Sequence, residues 1–378
     1  MKILTVDIGT GTQDIFLYDS NLDIENGFKL VLPSPTMMVH RRLKQTLHAS
    51  RRTPILLTGH QMGGGPSAWA IEECVRAGIP VYMTPDAATT LNDELDKVEA
   101  LGIKIVSEDE SKKLKVKSLE LKDFDFELIS KTFKDYGVSL DDLAAVAVAV
   151  FDHGNAPAGV SDRQFRFDYL DERIRAKNSL SSFIFPSNEI PKIMTRLQAV
   201  ADSASNLDCP LLVMDTAPAA VLGANFDPVV AKRERKIIVN VGNFHTLAFR
   251  LGDGIEGVFE HHTGEINLPK LENYIRALAD GSLKHQDIFD DMGHGALVYG
   301  TNPFEFGQDE FDVVVTGPRR SMFLDNPTLK PYFAVPFGDM MIAGCFGLLA
   351  ATAEILPNLA ETVHGSFRGG HGVAPWDA

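Results

Sequence analysis

The feature that most limits how this chain can fold occurs twice: a short β-rich run, a tight polar turn, and a second β-rich run. The first unit is Lys2-Ile3-Leu4-Thr5-Val6-Asp7, the turn Ile8-Gly9-Thr10-Gly11-Thr12-Gln13-Asp14, and then Ile15 to Asp19. The second is Ile237 to Val241, the turn Gly242-Asn243-Phe244-His245, and Thr246 to Leu251. Glycine supplies positive φ and threonine or asparagine supplies turn hydrogen bonds, so both units read as β-hairpins. With no transparent tandem repeat between them, they predict two related halves. A boundary near residue 230 gives one domain over 1–230, completed by 337–378, and a second over 231–336.

Between the hairpins the pattern alternates strand and helix. Pro54 to Thr58 is an apolar strand, the glycine-rich Gly59-His60-Gln61-Met62-Gly63-Gly64-Gly65-Pro66 leads into a helix from Ser67 to Ala77, and Pro80 to Met83 is a strand. This is a βαβ unit. Asn92 to Lys122 is charged and weakly periodic, which reads as surface helix and loop. Leu143 to Phe151 is nearly all Ala, Val and Leu, as a strand buried on both faces requires. Ala219 to Ala224 and Met340 to Leu356 are small-residue helices that must pack closely on something. Gly365 to Ala378 reads as irregular.

Composition closes off several classes. The 378 residues include 36 Lys+Arg against 51 Asp+Glu, a formal charge of −15, which repels nucleic acid and anionic membrane surfaces. The basic clusters Arg41, Arg42, Lys44 with Arg51, Arg52, and Lys232, Arg233, Arg235, Lys236 read as solvated surface, an anion site being the alternative. Cys74, Cys209 and Cys345 match no metal or redox spacing. Without a basic leader or a long apolar run, a cytoplasmic protein is expected.

Asp7, at a strand end before a Gly/Thr turn, is the expected metal-shell residue, with Gly9, Thr10, Gly11, Thr12 and Gln13 forming a concave loop suited to phosphate oxygens. Asn240, Gly242, Asn243 and Thr246 repeat the theme, so two facing loops would clamp a polyphosphate with a divalent cation between them. Asp215 ends a strand before a helix, as a general base or an N-cap would. Asp152 with His153 competes for the catalytic role, the alternative being turn formation. His60, His153, His245, His261, His262, His294 and His371 all stand beside turn residues. They would either converge in a cleft, on a transition metal or an anionic substrate, or act independently, and no spacing forms a single-motif metal site. The Gly59 to Pro66 loop is either an anion site at a helix N-terminus or a plain connection.

These segments, in this order, resemble the actin, heat-shock chaperone and sugar kinase superfamily (ASKHA). Asp7 to Thr12 resembles its first phosphate loop, D-x-G-[ST]-x-[ST], and Asn240, Gly242 and Thr246 keep the spacing of the second, D-x-G-x-x-x-T. Asp215 to Gly223 and Ile342 to Gly347 resemble the two connecting helices. Val313 to Pro318 resembles the adenosine strand and turn, which makes Gly317 a cofactor-binding residue, and Leu143 to Gly154 resembles the strand that carries a polar cleft residue. Asn240 replaces an acid, Asp215 lies one residue further from Ala-Ala than in sugar kinases, and Pro318 stands where a second glycine is usual. The whole sequence is also similar to a prokaryotic family labelled "putative pyruvate formate-lyase activating enzyme-like".

The resemblance implies an α/β, two-domain actin-like ATPase (ribonuclease H-like) fold with an interdomain nucleotide cleft, binding ATP and Mg2+. It implies an ATPase or phosphotransferase, first a small-molecule kinase of unknown acceptor. The alternatives are an ATP-driven activator of a partner protein and a scaffold that has lost ATP. A radical activating enzyme would need clustered cysteines for its iron–sulfur centre, and this sequence clusters none.

Overall fold

A computed structural model describes residues 1–49, 52–300, 302–370 and 372–377. Arg51 of the basic cluster and His371 lie outside the described residues.

The first hairpin pairs Lys2–Ile8 with Thr12–Asp19, antiparallel, and Phe28–Pro33 extends it on the outer side. On the inner side Leu143–Val150 runs parallel to Lys2–Ile8, Leu211–Asp215 runs parallel to that, and Ile184–Pro186 closes the edge antiparallel. The sequence Leu-Ala-Ala-Val-Ala-Val-Ala-Val over Leu143–Val150 explains its central place, because side chains alternate faces. Val146, Val148 and Val150 join one buried cluster; Ala145, Ala147 and Ala149 face another, built with the helix Ala343–Ile355.

The second hairpin repeats the plan. Lys236–Val241 pairs antiparallel with His245–Leu251, which is followed outward by Ile255–His262 and Gly295–Val298. Inward, Val313–Thr316 and Pro331–Phe333 run parallel. In each half a hairpin extends antiparallel on one side and accepts a parallel strand on the other. This is the two-domain α/β, actin-like fold class that the resemblance implies.

The helices Thr216–Ala224 and Ala343–Ile355 cross where their small residues predict it. A Cβ on Gly223 would collide with the Ala343 carbonyl, and one on Gly347 with the Ala219 carbonyl. One buried cluster is shared by both sheets: Val146 and Val213 of the first lie in it with Leu247, Phe249 and Val314 of the second. The halves therefore meet through a common apolar core as well as across a cleft.

A third sheet, all parallel, runs Lys104–Ile105, Val81–Met83, Ile55–Gly59, Lys117–Leu121. Its own core includes Leu43, Ile55, Leu57, Ile71, Cys74 and Val81. The βαβ reading is correct here, but Asn92 to Lys122 contains two strands where surface helix and loop were expected. In Lys117–Leu121 only Leu119 and Leu121 are buried, so an edge strand with charged outward positions carries a weak signal. The C-terminal helix also reaches further than expected, over Pro357–Arg368. Among the described residues no helix is long and apolar enough to cross a membrane.

Candidate functional site

The two hairpin turns open into one cavity of about 940 Å³. Its lining includes Asp7, Gly9, Thr10 and Thr12 from the first turn and Asn240, Gly242 and Asn243 from the second. Gly317, Asp152 and His153 also line it. The turns approach until they touch, since a Cβ on Gly11 would collide with the Asn243 side-chain amide. Each turn is closed by its own backbone, Gly9 N–H donating to Thr12 O and Gly242 N–H to His245 O, both at 2.9 Å. Gly317 adopts φ +93°, and a Cβ there would meet Asn240 Oδ1, which fixes this turn against the second hairpin.

Four expected residues stand behind the wall. Gly11 faces Asn243. Gln13 is turned away, its Nε2 donating to Pro33 O at 3.1 Å. Thr246 is buried and shares a hydrogen bond with Thr263 Oγ1 at 2.9 Å. Asp215 caps the helix Thr216–Ala224, accepting from Ala217 N–H at 3.0 Å, and its other oxygen takes Arg166 Nη1 at 2.6 Å. Both of its oxygens are engaged, and none of these four residues lines the cavity.

Asp7 is buried at the floor. Thr216 Oγ1 donates to its Oδ1 at 2.6 Å, and the start of the helix Ala343–Ile355 packs so closely that a Cβ on Gly344 would collide with its Oδ2. Directly across the hairpin stands Asp14, whose Oδ1 has no hydrogen-bond partner among the described residues. Burial pushes Asp7 up to about 6, and burial together with the neighbouring Asp7 pushes Asp14 up to about 8. Two adjacent carboxyls offer the oxygens a hard cation takes, and such a cation would displace the proton that burial favours.

Asp152 is equally confined. Its two oxygens accept from Gly154 N–H at 2.8 Å and Leu197 N–H at 2.9 Å, and burial raises its pKa. His153 Nε2 lies 3.1 Å from His294 Nε2. His245 and His262 pack on the same cluster, with ring centroids 4.9 and 4.7 Å from that of His294. His261 points away, to Asp291 at 3.1 Å. His60 lines a separate small pocket.

The Gly59 to Pro66 loop lines the cavity, but Gly63 N–H donates to both oxygens of Asp123 at 3.1 Å and Ser67 N–H donates to Thr36 Oγ1 at 3.0 Å. Two of its N–H groups are thus already engaged by protein.

Several residues at the site carry no mark in the sequence. Arg166, from the helix Asp162–Ala176, is fully buried and joins Asp215 to Glu260, its Nε donating to Glu260 Oε2 at 2.8 Å. It also donates to Asp152 O at 2.9 Å and lies over the Phe151 ring, 3.9 Å from its centroid. Arg196 holds Asp123 at 2.7 Å and lines the cavity. An arginine in an ordinary helix gives no local signal; only Asp14, in the turn motif itself, was within reach of sequence reasoning.

Residues 62–322 match the model of the family described as "Putative pyruvate format-lyase activating enzyme (DUF1786)". The chain belongs to this family. No curated relative matches it. Among solved structures it is similar to MreB5 of Spiroplasma citri bound to ADP, at 11% identity and TM-score 0.33, covering 98% of this chain and 99% of that one. It is also similar to the ethanolamine utilization protein EutJ from Carboxydothermus hydrogenoformans, at 12% identity and TM-score 0.30, covering 92% and 89%. A ROK family transcriptional regulator, a homolog of the E. coli MLC protein, matches at 10% identity and TM-score 0.24. That match covers 67% of this chain and only 37% of the regulator's length. At these scores the likenesses add nothing to what the strand order shows.

The family's printed description brings an iron–sulfur centre to mind, and the cysteines do not fit one. Cys74 is buried in the third sheet's core, Cys345 in the cluster under the helix Ala343–Ile355, and Cys209 packs at the edge of the shared core. Three thiols in three separate cores cannot ligate one cluster.

Proposed function

We propose that the cleft binds ATP with Mg2+ and that the chain transfers or hydrolyses its terminal phosphoryl group, most simply as a small-molecule kinase. The observation that carries this reading is the contact between the two turns, Gly11 against Asn243, over one shared cavity. The cavity wall is acidic, with Asp7, Asp14, Asp93, Glu94, Asp152 and Asp162 against Lys97 and Arg196, so a bare polyanion would be repelled. Asp7 and Asp14 would hold the cation, which when bound neutralises phosphate charge. Gly9, Thr10 and Thr12 are placed to flank the phosphates, with Asn240, Gly242 and Asn243 opposite and Gly317 on the adenosine side. Asp152 and His153, which line the same cavity, would stand on the acceptor side. Asp215 serves this site by holding Arg166 and the helix start. Residues 1–230 with 337–378 would close on residues 231–336, within the limits set by their shared core.

Unfolding entropy of about 2.1 cal/mol/K per residue gives about 0.8 kcal/mol/K for a chain of this length. ATP·Mg2+ at about 100 times its Kd adds about 2.7 kcal/mol, hence a Tm rise of about 3 °C. Asp7→Asn should abolish the rise; a wild-type chain whose Tm ignores millimolar ATP·Mg2+ would end this reading. The family's printed description favours a second one, an ATP-driven activator of a partner protein, and Asn240 in place of an acid suits slow turnover. ADP release accelerated by a metabolite panel supports the kinase; acceleration only by a protein partner supports the activator.

A further inference from the structure

Three histidines from distant points of the sequence meet at one wall of the cleft. His153 follows the strand Leu143–Val150 of the first sheet, His245 opens the second strand of the second hairpin, and His294 directly precedes Gly295–Val298. One ring nitrogen from each lies within 4.8 Å of the other two. Two independent features make this more than a packing coincidence. His245 Nε2, His294 Nδ1 and Glu260 Oε1 are all buried without a hydrogen-bond partner among the described residues, three orphaned polar atoms in one place. Glu260 Oε1 also stands 3.4 Å from His294 Nδ1 and 3.9 Å from His245 Nδ1. A small ring rotation lets it accept an Nδ1–H and turn an Nε2 lone pair inward, the usual outer-shell partner of a metal-bound imidazole.

We propose that His153, His245 and His294 bind one divalent transition-metal ion between the two halves, with a fourth coordination position open to the cavity. Metal–nitrogen bonds of about 2.0–2.1 Å in a tetrahedral set place the nitrogens about 3.3 Å apart. His153 and His294 already stand at 3.1 Å, so only His245 has to close in. Three imidazoles select a transition metal over Mg2+ or Ca2+, and burial holds all three rings in the neutral, ligating form, with His153 pushed down to about 3. The positive charges nearest the rings, Arg166 and Arg196, are each paired with carboxylates, Asp215 and Glu260 for the first and Asp123 for the second. His153 and His245 line the cavity while His294 is buried behind them, so the remaining position faces the cavity, where water or a substrate oxygen would sit. The donors are all different from Asp7 and Asp14, and the site does not depend on the nucleotide reading.

The test uses untagged full-length protein, stripped with a chelator and titrated with Co2+. The expected result is one four-coordinate Co2+ per chain, seen as an intense visible band, and its displacement by equimolar Zn2+. His153→Ala and His294→Gln should each lose at least tenfold in affinity, and Glu260→Gln about 10–100-fold with the band retained. His60→Ala, in a separate pocket, should bind Co2+ as the wild type does. Absence of a stoichiometric four-coordinate band in the wild-type chain overturns the proposal whatever the variants do, and so does a band of unchanged strength in His153→Ala.

Discussion

Replacing Arg166 with methionine should be among the most damaging single changes in the chain, and the structure sets its size. The guanidinium is fully buried, donates to Asp215 at 2.6 Å, Glu260 at 2.8 Å and Asp152 O at 2.9 Å, and covers the Phe151 ring. Methionine fills the volume, so what is lost is charge and hydrogen bonding, and two buried carboxyls are left without a countercharge. Breaking a buried ion pair from one side costs about 3–5 kcal/mol. At about 0.8 kcal/mol/K this lowers Tm by about 5 °C, readable by calorimetry. Neutralising the stranded acids separates charge from packing: Arg166→Met/Asp215→Asn/Glu260→Gln should recover at least half of the loss, because no charge remains buried and Asn still caps a helix. A single variant costing under about 1 kcal/mol would refute the reasoning, since that is the scale of solvent-exposed pairs. So would a triple variant no better than the single.

Gly223→Ala places a methyl against the Ala343 carbonyl at the helix crossing and should destabilise the chain by about 3 kcal/mol, measured by urea unfolding. Gly11→Ala should weaken ATP·Mg2+ about tenfold by pushing on the Asn243 amide, and Gly11→Ala/Asn243→Ala should lose less than the two single variants summed, a coupling that calorimetric titration resolves. Asp14, raised from 3.8 to about 8, keeps its proton in the folded chain while the unfolded chain loses it above about pH 4. Its share of the stability in chelator-containing buffer should therefore fall as pH rises from about 4 to 8, by up to about 1.4 kcal/mol per pH unit, against the opposite slope of the buried histidines; the wild-type curve minus that of Asp14→Asn should show this fall, and identical slopes in the two chains would exclude Asp14 as a contributor.

What the sequence discloses here is what local chemistry decides. Glycine and threonine between β-rich runs make the two hairpins recognisable, and strict Ala/Val alternation marks Leu143–Val150 as central. The glycines at 223 and 347 announce a close helix crossing before any partner is known. What stays hidden depends on long-range pairing. Lys117–Leu121 buries only Leu119 and Leu121, so its strand character comes from its neighbour Ile55–Gly59. Asp215 has the local signature of a base or of a cap, and only the position of Arg166 shows that both its oxygens are engaged. The histidines can be placed at loop ends from sequence, but spacings of many tens of residues say nothing about nitrogens a few ångströms apart.

The buried polar groups form one continuous line across the molecule. Thr216 Oγ1 donates to Asp7, and the preceding residue, Asp215, accepts from Arg166; Arg166 donates to Glu260, and Glu260 stands 3.4 Å from His294. The line begins at the acidic floor beneath the first turn and ends at the imidazole wall of the second half. Because Arg166 carries the one fixed positive charge in it, a cation on the histidines would compete with that guanidinium for Glu260. A hard cation at Asp7 is separated from it by Thr216 and Asp215, while an ion on the histidines draws on Glu260 directly. The two ends would thus be chemically distinct sites on one shared charge network, and Arg166, paired with Asp215 of the first sheet and Glu260 of the second, ties the two sheets together.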